Sequence, residues 1–391
     1  LYDVINFDKR FVMPNRSIRI GERIEAARPR ISALRASLGD RPLVLTSPGA
    51  VNWAGGGFSD PVDVTSASDP VWVVESSAGR ALITSNIEAP RLSGDFDLDT
   101  WGWDVIQVPW FDADAPVHAA EAFCGVSAHH MLSDVDSFGQ NVSFEIVRAR
   151  MALSEPERDD LRDLGAVAAY ALEHALDQWR PGETTDFDIA AHVSFDVERF
   201  GAKAVCLIVG GDDRLRSFRH PLAVGDVLHE AVMAVVVVRR GGLHVAATRC
   251  AVTGASDPIL ELTARLESVH RDVIHASRPG ATWGDAVDAL AKGYENIGRG
   301  GEWREHFQGG PIAFEQREFE IAPGQLASPF WNLTCQAGTA VAWNPSLEGG
   351  AKIEETYVVG DGEPELITTC HGWPLSSDGD GPAHTKVKVL Q

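Results

Sequence analysis

The sequence predicts an α+β protein of two domains, and three observations predict it. Helix and strand signals alternate up to about residue 150, helices precede valine-rich strands after it, and 391 residues with 44% apolar content supply core for two compact bodies. The expected division is 1–150, a smaller α/β layer, and 151–391, a curved antiparallel sheet covered by helices.

In the first domain, Ser17 to Leu38 carries apolar residues at helical spacing. Short apolar runs at Pro42–Thr46, Val71–Val74, Ala81–Thr84 and Val105–Val108 are bounded by turn residues and read as strands. A second helix is expected over Ala115–Leu132, and an extended exit over Val142–Val147. The second domain opens at Ser154-Glu155-Pro156-Glu157, where Ser154 caps a helix, Glu157 returns the bond and Pro156 suits the first turn. Leu161, Leu164, Ala168, Leu172 and Leu176 keep the helical period up to the stop at Arg180-Pro181-Gly182. Another helix starts at Thr184 or Thr185, strands follow between Val205 and Arg239 and over Leu243–Thr248, and a helix covers Ile259–Ile274.

Composition excludes several functions. The 34 basic and 56 acidic residues give a formal charge of −22, which repels nucleic-acid phosphates and anionic lipid, so neither partner is expected. The longest apolar run, Ala231–Val238, has the length of a buried strand and falls far short of the roughly 20 residues of a membrane helix. Cys124, Cys206, Cys250, Cys335 and Cys370 are scattered and odd in number, a usage that fits reduced thiols and a cytoplasmic location. Cys206 lies in the apolar run 204–209 and is expected to pack as a small hydrophobe. No signal-peptide pattern follows Leu1, and the Asn-x-Ser/Thr triplets at Asn15, Asn141 and Asn332 carry no expected role. Gly55-Gly56-Gly57 lacks the Lys-Ser/Thr of a phosphate loop, and no His-Glu-x-x-His, Cys-x-x-Cys or acidic calcium loop occurs.

Several stretches carry a family resemblance. Gly225-Asp226-Val227-Leu228, Met233 to Val238, Gly241-Gly242-Leu243 and Ala247-Thr248-Arg249 resemble a strand pair of the methionine aminopeptidase, aminopeptidase P, prolidase and creatinase family. His306-Phe307-Gln308-Gly309-Gly310-Pro311, Trp343-Asn344-Pro345 and Ile353-Glu354-Glu355-Thr356 resemble its later motifs. Thr46-Ser47-Pro48-Gly49-Ala50-Val51-Asn52-Trp53 resembles the accessory domain of the creatinase, prolidase and aminopeptidase P branch. The resemblance implies a pita-bread fold for 151–391 and a creatinase/prolidase-type domain for 1–150. Metallopeptidase members hold their metal with five ligands. The matching positions here are Val235, Ala246, Gly310, Asn344 and Glu354, with one carboxylate among them. A divalent metal needs three or more converging donors, so no catalytic metal and no other cofactor are expected.

Creatinase works without a metal, and Arg219-His220-Pro221-Leu222 resembles the segment that bears its catalytic histidine. His220 is therefore the expected general acid/base, since an imidazole transfers protons near neutral pH. Glu354 and His306, the latter ahead of an expected Gly309-Gly310 turn, are the other candidate catalytic groups. Arg317-Glu318 stands where metallopeptidases place a histidine and a glutamate. Arg317 is expected to hold a substrate carboxylate in two parallel hydrogen bonds. Glu318, Asn344 with its amide donor and acceptor, and Trp53 of the accessory domain complete the expected binding residues. Creatinase's guanidinium-binding glutamates fall at Ala246 and Asn344, so creatine is not the expected substrate.

The expected function is metal-independent hydrolysis of a C–N bond in a small amide, amidine or amino-acid-like molecule. Two alternatives stand beside it: elimination or isomerisation by the same histidine, and an inactive binding protein like the peptidase-like domain of certain histone chaperones. The resemblance also implies a homodimer in which the accessory domain, with Trp53, helps close the partner's pocket.

Overall fold

The computed structural model describes residues 16–59, 66, 68–369, 372–376 and 382–390. Leu1, Asn15 and Cys370 lie outside the described residues. Two compact units part at Val142 and Ser143.

The first unit contains α1 (Arg16–Ser37), β1 (Leu43–Leu45), α2 (Pro48–Ala54), β2 (Val71–Ser76), β3 (Gly79–Ser85), α3 (Glu88–Asp95), β4 (Asp104–Val108), α4 (Ala115–Cys124), β5 (Leu132–Ser133) and β6 (Gln140–Asn141). Its strands form one mixed sheet in the order β4-β3-β2-β1-β5-β6. Val44, Val74, Ala81 and Ile83 of adjacent strands share an apolar cluster with Ala120 of α4, which gives the expected α/β layering. The helix expected to reach Leu132 ends at Cys124 instead. Gly125 adopts a left-handed φ of 67° there and its N–H closes on the Glu121 carbonyl, which stops the helix before β5 begins.

The second unit opens with α5 (Ser143–Arg150), where an extended segment was expected. Ile146, Val147 and Arg150 bury one helical face, and Val147 and Met151 join the second unit's core. Burial outweighs the weak helix preference of the β-branched residues. Next come α6 (Glu155–Asp177), α7 (Asp186–Arg199), β7 (Lys203–Gly211), α8 (Asp212–Ser217), β8 (Ala231–Arg240) and β9 (Leu243–Val252). Glu157 Oε2 accepts from the Ser154 N–H at 2.6 Å, as the start of α6 predicts. At α7, Thr185 Oγ1 accepts from Asp188 N at 3.1 Å and Asp188 Oδ2 accepts from Thr185 N at 2.9 Å, a complete capping box. The β8–β9 hairpin turns through Gly241 and Gly242, both at positive φ (53° and 75°), the geometry that matches the twist of the two strands.

The chain continues with α9 (Pro258–Ala276), α10 (Trp283–Asn296), β10 (Gly309–Pro311), β11 (Ala340–Trp343), β12 (Ser346–Leu347), β13 (Ala351–Lys352), β14 (Glu355–Val358), β15 (Glu365–Leu366) and β16 (Lys388–Val389). Two four-stranded sheets result, β16-β9-β8-β7 and β10-β11-β14-β15, with β12-β13 as a short ribbon. The sheets are joined through β9: His244 N donates to Ala313 O (2.6 Å), Ala246 N to Thr356 Oγ1 (3.0 Å) and Thr248 N to Glu354 O (2.9 Å). This seam carries the motifs on β9 to those on β14.

Candidate active site

Alternation along the strands decides which side chains meet. Residues two apart on a strand point to one face, so Cys206 and Ile208 of β7, Val235 and Val237 of β8, and Ala246 of β9 lie in neighbouring register. All of them line one cavity of about 480 Å³ in the second unit. Gly310, Asn344 and Glu354 line it as well. The five positions matched by resemblance to a ligand set therefore converge, and four of them supply an isopropyl group, a methyl group, a hydrogen and an amide. A Cβ built on Gly310 would meet no heavy atom closer than 3.9 Å, so the missing side chain adds open volume. Gly309 and Gly310 lie in strand β10, paired with Trp343 and Ala342, and not in the expected turn.

These residues do not fit a divalent metal. Among the described residues no group of three or more His, Cys, Asp or Glu is placed to hold an ion. Both Glu354 oxygens already accept hydrogen bonds, Oε2 from Thr248 Oγ1 (2.8 Å) and Oε1 from Asn344 Nδ2 (3.1 Å), and the Lys352 ammonium lies 3.9 Å from Oε2.

His220 also lines the cavity, exposed at its edge. Its loop is placed from both sides. Pro221 packs where a Gly210 side chain would stand, 2.6 Å from a built Cβ, while Arg219 pairs with Glu302 (2.6 Å) and bonds Ser346 Oγ (3.2 Å). His220 Nε2 meets His306 Nε2 at 3.0 Å, so one ring donates and the other accepts. His306 is buried, and burial, then the Lys352 charge and His220, hold its pKa down at about 2. Burial also lowers the pKa of His220, helped by Lys352 and Arg317 and opposed by Glu354. Both imidazoles are neutral at neutral pH.

Arg317 lines the cavity, but its guanidinium stacks 3.4 Å from the Phe307 ring centroid and pairs with Glu320 at 2.7 Å. Glu318 does not line the cavity, and Trp53 is enclosed within its own unit. Glu318 is buried against Arg150, accepting from its Nε at 2.8 Å and its Nη2 at 2.7 Å, and its other oxygen accepts from Phe314 N at 2.8 Å. With both oxygens taken, it fixes the loop and offers nothing to a ligand. Trp53 belongs to α2 of the first unit with 0% exposure, so it presents no atom to a ligand in this chain. Among the described residues the thiols are poor nucleophiles: burial raises Cys124 and Cys206, and pushes Cys250 and Cys335 up to about 12.

Sequence reasoning missed Lys352. The available signal was its place two residues before Glu354 in an extended segment, which puts both side chains on one face. Thr248, two residues after Ala246 on β9, was legible in the same way.

The buried imidazoles also set a pH dependence. His244 donates from Nδ1 to Ala313 O at 3.0 Å, and burial holds His244 and His270 at about 3, beside His306 at about 2. The unfolded chain's histidines bind protons below their ordinary 6.5 while the folded ones stay neutral. The unfolded state then carries more protons, so stability is lost as pH falls from 6.5 toward 3, at about 1.4 kcal/mol per pH unit for each histidine. Urea midpoints measured between about pH 4.5 and 6.5 should therefore fall with acid, and less steeply in His270→Phe. An unchanged slope in that variant would refute a buried neutral His270.

The family described as Metallopeptidase family M24 matches residues 159–361. The sequence matches no curated protein. Among solved structures, the dipeptidase PepE from Mycobacterium ulcerans is 18% identical with a TM-score of 0.70, covering 97% of this chain and 100% of that one. An Xaa-Pro dipeptidase from Bacillus anthracis is 18% identical with a TM-score of 0.68, covering 94% and 99%. The N-terminal domain of FACT complex subunit SPT16 from Cicer arietinum (chickpea) is 12% identical with a TM-score of 0.64, covering 91% and 97%. At these identities the likeness establishes the shared two-domain fold.

Proposed function

Because this chain belongs to metallopeptidase family M24, we propose that it is a hydrolase of that family working without a metal, which cleaves a C–N bond in a small amide or amino-acid-like molecule with His220 as its proton-transfer residue. One observation carries the reading: His220 lines a cavity whose ligand-matched positions hold Val235, Ala246, Gly310 and Asn344, and its Nε2 is held at 3.0 Å by His306, which lines a neighbouring cavity instead. A neutral imidazole accepts a proton near neutral pH, as a general base must.

In the proposed step His220 Nδ1 takes a proton from water as that water attacks the substrate carbonyl. His220 Nε2–H donates to His306 Nε2, and the Glu354 carboxylate favours the transient imidazolium. Nδ1 then returns the proton to the departing nitrogen. Elimination or isomerisation would use the same histidine and leave no oxygen from labelled water in the product, so labelled water separates hydrolysis from both.

The metal-free part is tested by elemental analysis of gently purified protein. Less than a tenth of an equivalent, roughly, of zinc, manganese or cobalt is expected, because one carboxylate beside an ammonium is a poor site. A full equivalent that chelators remove together with activity would overturn this part of the reading.

A further inference from the structure

The Lys352 ammonium has no role in the step above, and its surroundings are unusual. Its residue is 8% exposed and its side chain 4% exposed, yet no described residue accepts a hydrogen bond from it; its one ion pair, to Glu354, spans 3.9 Å. Glu354 does not need it, since each of its oxygens accepts from Thr248 or Asn344. An ammonium on a side chain 4% exposed, with no hydrogen-bond acceptor among the described residues, is costly unless a partner satisfies it. Lys352 lines the cavity, and its ammonium lies 3.9 Å from Glu354, which lines the same cavity, so it stands beside the space a ligand would occupy. The lining holds two cations, Lys352 and Arg317, against one carboxylate, in a chain of formal charge −22. Arg317 is paired with Glu320 at 2.7 Å, so Lys352 is the lining cation that holds no hydrogen-bonded anion among the described residues, and it marks the place for one.

We propose that the cavity recognises a small carboxylate, and that Lys352, rather than Arg317, seats its charged group. This deepens the reading of the site as one for a small amide, and narrows the substrate to an amide that also bears a carboxylate. Three features fix the ligand's class. The volume of about 480 Å³ and the walls of Ile208, Val235, Val237, Ala246 and Ile312 accommodate a short apolar body. One ammonium balances one negative charge, while Glu354 at 3.9 Å from it repels a second, which disfavours dianions. Arg317 is already stacked on Phe307 and paired with Glu320, so its donors are partly spent.

Binding tests the proposal without turnover. The full chain is titrated calorimetrically with N-acetylglycine and with its neutral analogue N-acetylglycinamide, and then with other short N-acyl amino acids and their amides. A charge-assisted hydrogen bond to a buried ammonium predicts that each acid binds roughly tenfold or more tightly than its amide. Lys352→Met, close in shape, should bring that ratio to about one, Lys352→Arg should keep most of it, and Arg317→Gln should change it by less than about threefold. Circular dichroism of each variant confirms that it is folded. An acid that binds no better than its amide in the wild type, or a preference that survives Lys352→Met, overturns the proposal. A preference lost in Arg317→Gln and kept in Lys352→Met overturns it too and moves the seat to Arg317. Carboxylates that bind while no amide is ever cleaved would leave the anion seat standing and remove the hydrolytic reading, so the two failures are distinct.

Discussion

His220→Ala is expected to lower kcat on the cleaved amide by on the order of 10² or more, the usual loss when a general acid/base is removed. His220 sits exposed at the cavity edge, so the variant should keep its fold and its thermal midpoint. The pH profile is the second readout. Burial and the Lys352 charge depress His220 below 6.5, so kcat should hold at neutral pH and fall only on the acid side of 6.5, as the base becomes protonated. Near-wild-type turnover in His220→Ala would remove the assignment and pass it to His306 or Glu354. Binding of a protein partner that no cavity substitution disturbs, together with the absence of any turnover, would favour the inactive binding protein.

The other large effect is on stability. Arg249 is fully buried on β9 and bonds Glu173 Oε1 (3.1 Å), both oxygens of Glu355 (3.0 and 3.1 Å) and the carbonyl of Thr368 (2.6 Å). Glu355 is buried as completely and also accepts from Thr368 Oγ1 (2.5 Å) and from the Thr385 hydroxyl. Arg249→Met should destabilise the protein by about 3–5 kcal/mol, because it strands the Glu355 charge in the interior. Adding Glu355→Gln should recover much of that loss, so the two changes are expected to be strongly non-additive in a double-mutant cycle of urea unfolding. A loss below about 1 kcal/mol for the single variant, or simple additivity, would contradict the network. Glu355 follows Glu354 directly, so Arg249→Met should also loosen Glu354 and, through it, the environment of His220.

The catalytic candidates were legible to different depths. His220, Asn344 and Glu354 come to one cavity as their motifs led one to expect, and so do the positions Val235, Ala246 and Gly310. Glu318 and Arg317 were adjacent in the same motif and looked alike as binding groups, yet one is buried against Arg150 while the other reaches the cavity. Both lie in an irregular loop between β10 and β11, where the directions of neighbouring side chains follow the path of the backbone and show only once that path is known. A lone lysine in a sequence ordinarily belongs to the surface, and Lys352 becomes notable only through its burial.

What the sequence determined by itself was local. The caps at Glu157 and Thr185 and the apolar runs that form β8 and β9 each depend on residues within a few positions of one another, and the structure follows them. The helical face of α5 was decided by burial, because Ile146 and Val147 suit strand or helix until a core claims them. The same holds for the site's chemistry. His220 and His306 meet across 86 residues of chain, and Thr248 and Glu354 across 106. Their ionisation depends on how much water packing removes and on which charges it leaves nearby, quantities that exist only in the folded chain.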